Sequence, residues 1–463
     1  MRRDRFWSNS LKAVVLAGLV VGVAACGSNN NANKNNASSA ATKAATQAAT
    51  TAAAASAAPS ASATAMATRA ATPAATAAAS ASASAAPAPS GEVKVGIVSP
   101  FSGPIGYLGE YMRNSVQVEI DKINAQGGVN GKKVTLVTRD DQLAPPQSLN
   151  QARDLIQNEK VVLLIGPSVT TNYLAAKDFI NQSNVVNCLP TVADDVIKDS
   201  PHAFRTQDPK SLDEVTLAKY IGKAGLKKLA IAGVGDALAQ SYQKDLPALL
   251  QQYGNGAQLV DTEFAGPQDQ DYTPQLQKVK ASGADAVLIP TGNPAVAIYV
   301  VKALQNLDYH PQILGISGLQ GYTFPANGGK AVEGSTFIAT LLAWYTHVPQ
   351  EQWPKGYRDH VNAVVQKYGV QTQGGASEWK GTALAGDCID IWAAAANKAG
   401  SFDADAVMKA LNGMKFTADQ LPGGVNADFS NGNREEYSDP SQLHLYKWTL
   451  GSDNKWFLTE VPQ

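Results

Sequence analysis

The sequence has few of the residues that build metal and catalytic centres. It contains three cysteines in 463 residues and has no Gly-x-x-x-x-Gly-Lys, His-Glu-x-x-His or Gly-x-Ser-x-Gly motif. Its five histidines lack the spacing of metal ligands, and they are His202, His310, His347, His360 and His444. We therefore expect no metal, no cofactor and no enzymatic activity.

The sequence also has no excess of charge. Its 38 basic and 39 acidic side chains give a net charge of −1, which argues against nucleic acid as a partner. Composition divides the chain near residue 91 into an unusual first part and an ordinary globular remainder. The remainder is long enough to bury two cores.

The first 25 residues are typical of a leader. A basic start is followed by the apolar run Leu11–Ala25, which is too short for an ordinary membrane-spanning helix. The run ends in Val-Ala-Ala-Cys, which resembles a bacterial lipobox with Cys26 as the lipidated residue. Cleavage without lipidation is the alternative. We predict a signal peptide over 1–25 and a mature chain anchored by acyl groups on Cys26 to the outer face of a membrane.

Residues 26–91 are predicted to be a disordered tether. Gly27–Ser90 consists mainly of alanine, serine, threonine and asparagine, so it cannot bury a core. As a flexible chain, these 64 residues would span roughly 45 Å. The tether would therefore hold a folded domain away from the membrane.

The stretch Val161–Ile180 is the most informative part of the chain. Five apolar residues lead into a Gly-Pro pair, and Ser168, Thr170 and Thr171 then precede a helical pattern. The pattern predicts a strand buried on both faces, a turn, and a helix whose N-cap is Thr170 or Thr171. Ligands of parallel sheets bind at this edge, and a helix N-terminus favours an anion. Two interpretations stay open: the threonines only cap the helix, or they also bind a ligand carboxylate.

Strands and helices alternate from Glu92 onward. Two such runs are separated by a break at His202–Asp208, which predicts two α/β lobes with parallel sheets. The other predicted strands are Val93–Val98, Lys133–Thr138, Asn184–Leu189, Lys228–Ala232, Gln258–Phe264 and Ala284–Ile289, with a hairpin of Leu443–Leu450 and Lys455–Thr459. The other predicted helices are Glu110–Ala125, Pro145–Glu159, Leu212–Lys223, Gln240–Tyr253, Tyr272–Ala281, Pro294–Leu307, Tyr357–Tyr368, Gly381–Ala399 and Ala404–Leu411.

Three segments together resemble the type I periplasmic solute-binding proteins of the leucine/isoleucine/valine-binding kind. They are VKVGIVSPFSGPIGYLG, EIDKINAQGGVNGKKVTLVTRDD and DQDYTPQLQKVKASGADAVLIPTG. The spacing from Gly166 to Pro190 also fits that family without a gap. The resemblance covers about residues 92–463.

The resemblance implies an α/β fold of two Rossmann-like lobes with parallel sheets, joined by a hinge of three chain crossings. Lobe I would comprise 92–207 and 341–438, and lobe II would comprise 208–340 and 439–463. The lobes would close over a small solute, a branched-chain amino acid or a related carboxylate, and deliver it to an ABC permease. We expect a monomer that does not bind nucleic acid.

The resemblance also implies where the ligand binds. Thr170 falls where the family has a hydroxyl on the ligand carboxylate, and Thr191 falls where a backbone group binds it. The lobe I positions are Ser102, Tyr107, Leu108, Ser168, Thr170, Thr171, Thr191 and Ala193, the last of which lacks the family's hydroxyl. The lobe II positions are Leu238 and Gly292, where the family is often aromatic, with Asn293 and Ser317.

Ser317 is the most informative departure from the family. Amino-acid binders have an acidic residue there for the ligand's α-ammonium group, and a buried ammonium without such a partner is costly. The sequence therefore predicts a carboxylate solute without an obligatory α-amino group. Alternatively, Asp236 or Glu333 supplies the missing charge.

Three further alternatives stay open. The chain could be a sensor that passes closure to a signalling partner, or an extracellular α/β enzyme, which the missing catalytic motifs disfavour. Cys188 and Cys388 could form a disulfide outside the cytoplasm or could remain two buried thiols.

Overall fold

The computed structural model describes residues 89–103, 105–192, 194–339, 349–369 and 380–462. The predicted leader, Cys26, nearly all of the tether and Ala193 lie outside the described residues. Within the described residues, no helix has both the length and the apolar character needed to cross a membrane.

The described chain alternates strands with helices. The strands are β1 (Glu92–Ser99), β2 (Lys133–Asp140), β3 (Leu163–Ile165), β4 (Val186–Leu189), β5 (Ala203–Arg205), β6 (Lys228–Val234), β7 (Gln258–Ala265), β8 (Ala286–Ile289), β9 (Gln312–Gly315), β10 (Thr336–Ala339), β11 (Lys415–Phe416), β12 (Ala427–Asp428), β13 (His444–Leu450) and β14 (Trp456–Val461). The helices are α1 (Gly106–Ala125), α2 (Pro145–Arg153), α3 (Thr170–Asn181), α4 (Lys210–Ala224), α5 (Ala237–Tyr253), α6 (Thr273–Ser282), α7 (Pro294–Asn306), α8 (Thr323–Gly328), α9 (Lys355–Tyr368), α10 (Lys380–Ala399) and α11 (Ala404–Leu411).

The first sheet has five parallel strands in the order β2-β1-β3-β4-β5. Every residue of β3, β4 and β5 is buried, as expected for a parallel sheet covered on both faces. Successive side chains of β1 pack on opposite faces of the sheet, because side chains alternate along a strand. Ile97 joins a core with Val116 and Trp392, whereas Val98 joins a second core with Tyr173.

The second sheet has seven strands in the order β14-β13-β10-β9-β8-β6-β7. Strands β6 to β10 pair in parallel, and the predicted hairpin is present as β13 and β14, which add two antiparallel strands beside β10. The two sheets confirm the predicted two-lobed α/β class. The strand β5 was missed, because it falls inside the predicted break, and the short strands β9 and β10 were not predicted either.

A disulfide joins Cys188 of β4 to Cys388 of α10, with the two Cα atoms 5.7 Å apart. Of the two alternatives for these cysteines, the structure therefore has the disulfide and not two free thiols. The hydroxyl of Thr206, directly after β5, lies 3.8 Å from the Cys188 sulfur and 3.4 Å from the Cys388 sulfur. The crosslink therefore fixes the late helix α10 to the first sheet, next to the point where the chain leaves that sheet.

Two chain crossings run side by side at the edge of the first sheet. The Arg205 N–H donates to Arg434 O at 2.8 Å, and the Glu436 N–H donates to Arg205 O at 2.9 Å. The Arg205 side chain is 1% exposed and forms a forked pair with Glu435 at 2.6 and 2.7 Å. These bonds hold 205–209 and 434–438 together. The remaining predicted crossing falls on 340–348, outside the described residues, and the predicted lobe boundaries stay a prediction.

Candidate ligand-binding site

Two pairs of hydroxyl groups lie at the carboxyl ends of β1, β3 and β4. The oxygens of Ser99 and Ser168 are 2.8 Å apart, and those of Thr170 and Thr191 are 2.9 Å apart. Thr170 and Thr191 are 7% and 5% exposed. The structure thus brings together three of the predicted lobe I residues at the edge of the sheet where ligands of open α/β folds bind.

Helix α3 begins without a side-chain cap, so the predicted capping role of Thr170 or Thr171 is wrong. Its N-cap residue is Val169, which makes no side-chain hydrogen bond to the first turn. Thr170 is the first helical residue, and its hydroxyl is bonded to Thr191 instead. Among the described residues, no N-cap side chain satisfies the first-turn N–H groups of α3, and such groups favour an anion.

The equivalent helices of the second sheet differ. Asp236 caps α5 by accepting from Ala239 N at 2.8 Å, and Asn293 caps α7 by accepting from Ala295 N at 3.0 Å. Their first-turn amides are thus partly satisfied within the chain. This contrast favours lobe I as the side that binds an acidic group.

Hydrogen bonds from the Asn187 side chain fix the turn before α3. Asn187 donates to the carbonyls of Leu164 and Gly166 at 2.9 and 2.8 Å. Gly166 has φ +88°, and a Cβ there would lie 2.4 Å from Val98 O. Only glycine fits this conformation and approach, so the hydroxyl groups that follow are set on a rigid turn.

Buried Asp141 supports the same turn from the side. Its Oδ2 accepts from Ser148 Oγ at 2.6 Å and from Asn172 Nδ2 at 2.8 Å. Because Asn172 belongs to the first turn of α3, this bond fixes the direction of the helix. Asp141 and Ser99 were not predicted as site residues, although Ser99 ends β1 and Asp141 directly follows β2.

The other predicted lobe I positions are at least partly open to solvent. Tyr107 is 36% exposed, and its ring meets that of Tyr111 edge-on, with centroids 5.6 Å apart. The remaining positions are Ser102, Leu108 and Thr171. Their contact with a ligand stays a prediction.

The predicted lobe II positions follow β6, β8 and β9. Leu238, in the first turn of α5, is 9% exposed and packs into the core around the second sheet. Gly292 is exposed, Asn293 is half-buried, and Ser317 begins a 3₁₀ turn. Helix α3, which begins at the lobe I set, contacts helix α5, which begins at the lobe II set, so the two sets lie on facing edges.

The loops after β8 and β9 touch backbone to backbone. A Cβ on Gly318 would lie 1.9 Å from Thr291 O. Trp448 of β13 also contacts this region, since it donates its indole N–H to Leu319 O at 2.7 Å. The late hairpin therefore sets the position of the turn that begins at Ser317.

The two alternative sources of a ligand-binding carboxylate are not equivalent. Asp236 lies directly after β6, at the carboxyl edge of the sheet, and burial raises its pKa. Glu333 is exposed and precedes β10, so it lies at the opposite edge, because β10 runs parallel to β9. Of these two residues, only Asp236 therefore lies at the edge of the sheet where a ligand-binding carboxylate is expected.

A serine, a histidine and a glutamate meet between α1 and α9, although no sequence motif suggested it. The Ser115 Oγ lies 3.2 Å from His360 Nε2, and His360 Nδ1 lies 2.7 Å from Glu119 Oε1. Their exposed fractions are 0%, 2% and 3% in that order. A substrate cannot reach this serine, so the three residues form a structural network between α1 and α9.

The lobes, their facing edges and the paired crossings define a two-lobed α/β binding protein. A family model described as periplasmic binding protein matches residues 92–440, and the chain belongs to that family. It is 25% identical over 374 residues to the Leu/Ile/Val-binding protein BraC3 of Rhizobium johnstonii, covering 79% of this chain and 94% of that protein. The chain is thus a type I periplasmic binding protein of the leucine/isoleucine/valine-binding type, as the sequence predicted.

Solved structures share the fold. A type 1 periplasmic binding protein from Bordetella pertussis Tohama I superimposes with a TM-score of 0.71 at 21% identity, covering 80% of this chain and all of that one. A solute-binding protein of an ABC transporter from R. palustris, in complex with 4-hydroxybenzoate, gives 0.68 at 20% identity, covering 80% and 96%. The relatives and neighbours are binding proteins, not enzymes.

Proposed function

We propose that this chain is the extracytoplasmic solute-binding component of an ABC importer, and that its solute is a small carboxylate without an obligatory α-amino group. The observation that carries the proposal is the Thr170–Thr191 hydroxyl pair, 2.9 Å apart, beside the uncapped start of α3. Hydroxyl donors and free helix amides are groups that bind a carboxylate.

The ligands named for similar proteins support the proposal that the solute carries a carboxylate group. Leucine, isoleucine and valine carry one together with an ammonium group, whereas 4-hydroxybenzoate carries one without. Ser317 takes the position where the family's amino-acid binders have an acidic residue. The serine at this position favours a carboxylate without an ammonium group. Asp236 would instead favour an amino acid, because its carboxylate could pair with the ammonium group.

Capture would proceed by hinge closure. A solute bound to the α3 side in an open form gains contacts with Leu238, Asn293 and Ser317 when the lobes approach. Because these contacts exist only in the closed form, the ligand shifts the open–closed equilibrium towards it. The permease would then recognise the closed form.

Calorimetry with the full chain tests the ligand class. We expect 4-hydroxybenzoate or a similar amine-free carboxylate to bind, and leucine and valine to bind far more weakly. Binding of leucine or valine at micromolar affinity or better would contradict the predicted absence of an ammonium site.

The variant Thr170→Val tests the site. The loss of one buried hydroxyl should cost about 1–3 kcal/mol of binding, which is about 5- to 150-fold in Kd. A matched control is Thr449→Val, which breaks a similar hydroxyl pair with Thr459 at 3.1 Å in the hairpin and should leave affinity unchanged. Equal affinity of wild type and Thr170→Val would remove Thr170 from the site.

Membrane attachment through Cys26 belongs to the same proposal. A tether of roughly 45 Å would let the folded lobes reach a permease in the same membrane. The variant Cys26→Ser should move the protein from the membrane fraction to the soluble fraction, and its retention in membranes would argue against a lipid anchor.

A further inference from the structure

We propose that Asp387 and Glu436 share one proton, and that this proton fastens the crossing at 434–438 to helix α10, so that the hinge loosens as the pH rises. The inference concerns the hinge alone and does not depend on which solute binds.

The two carboxyl groups meet in the interior. Both residues are 0% exposed, and the nearby Asp387 carboxyl group helps to raise the pKa of Glu436. The Asp387 Oδ1 accepts from Gly423 N at 2.7 Å. A Cβ on Gly423 would lie 2.3 Å from Asp387 Oδ2 and 3.2 Å from Glu436 Oε1. Both carboxyl groups therefore crowd the same face of this glycine.

The pair lacks other hydrogen-bond donors. Among the described residues, none donates to Asp387 Oδ2 or to either carboxyl oxygen of Glu436. Two ionised carboxylates here would leave three buried acceptors unsatisfied and bring like charges together, which is costly. One shared proton removes the like-charge repulsion and joins one oxygen of each carboxyl group in a hydrogen bond, because the protonated group donates to the ionised one.

The surroundings favour retention of that proton. The charged groups that face the pair are Asp390 on α10, Glu119 and Lys122 on α1, and Asp208 on the neighbouring crossing. Lys122 is itself bonded to Glu119 and, at 2.6 Å, to Asp390. Burial first, and then the nearby carboxylates, raise the pKa of both Asp387 and Glu436 well above the usual value.

The direction of the pH effect follows from linkage. The unfolded chain releases these protons near pH 4, whereas the folded chain keeps one of them. The stabilisation is therefore complete below the unfolded pKa and is lost as the pH rises through the folded pKa. The loss is felt at both crossings, because the Glu436 N–H is bonded to Arg205 O.

Hydrogen–deuterium exchange of the full chain tests the proposal. Peptides spanning the two crossings would be followed between about pH 6 and pH 9, with protection corrected for the intrinsic base-catalysed rate. We expect their protection to fall by about tenfold or more in the wild type and to stay constant in Glu436→Gln, which carries a donor and does not titrate. Peptides from β8 and β9 provide the internal reference.

The matched control is Asp390→Asn. Burial raises the pKa of Asp390 to about 8, so this residue titrates within the pH range of the experiment. Its carboxylate bonds to Lys122 and not to the crossing. We expect Asp390→Asn to keep the pH-dependent loss of protection at the crossings, displaced to lower pH because one of the carboxylates that raise the pKa of Asp387 is removed. Asp387→Asn replaces Glu436→Gln if the latter does not fold. Constant protection in the wild type, or the same fall in Glu436→Gln as in the wild type, would overturn the proposal.

Discussion

Removal of the Cys188–Cys388 disulfide should cost much of the stability of lobe I. The bond closes a loop with a sequence separation of 200. The loop-closure model gives about 5 kcal/mol at 25 °C for a loop of this length. Residual structure in the unfolded chain lowers this value, so we expect a loss of about 3–5 kcal/mol in the double variant Cys188→Ala/Cys388→Ala.

Urea unfolding followed by circular dichroism measures this loss. Both cysteines are 0% exposed, so the substitution is more dependable than addition of a reductant. The control Thr206→Val removes the hydroxyl next to both sulfurs, which also donates to Leu384 O at 2.8 Å, and leaves the crosslink intact. We expect it to cost only about 1 kcal/mol. A loss below about 1 kcal/mol in the double variant would refute the loop-closure argument.

Two further predictions follow from buried contacts. Burial opposes the ionisation of Glu119, but the hydrogen bond from His360 and nearby positive charge lower its pKa to about 2. Wild-type stability should therefore fall as the pH drops from about 4.5 towards 2, and an acid titration followed by circular dichroism should show a flatter slope for Glu119→Gln. Gly318→Ala should cost about 1–3 kcal/mol, because its Cβ would lie 1.9 Å from Thr291 O. Gly321→Ala, with nothing within 4 Å, should retain the wild-type thermal midpoint, and equal midpoints for both variants would contradict the clash.

The sequence predicted the elements that carry a regular apolar pattern. Ala404–Leu411 was predicted at the bounds that the structure shows, and the helix ending at Ala125 was predicted to begin four residues too late. The three residues Ala203–Arg205 gave no period to detect, so they were taken as part of a break although they form β5.

The site could be predicted only in part. The strand and helix around Thr170 were predicted because a buried apolar run, a Gly-Pro pair and a helical pattern follow one another in the sequence. The capping role was wrong because the partner of Thr170 is Thr191, 21 residues away, and not the local backbone. The Ser115–His360–Glu119 contact and the choice between disulfide and free thiols depend on segments about 200 residues or more apart, and local spacing carries no information about them.

The path of the chain through its two sheets affects its biosynthesis. Strand β13 lies between β10 and β14, and α10 covers the first sheet in one core with α1. A nascent chain released as far as residue 339 would therefore expose apolar surface on both sheets. Neither sheet can complete its core until these late segments have been synthesised, and the second sheet depends on the very last of them, β13 and β14.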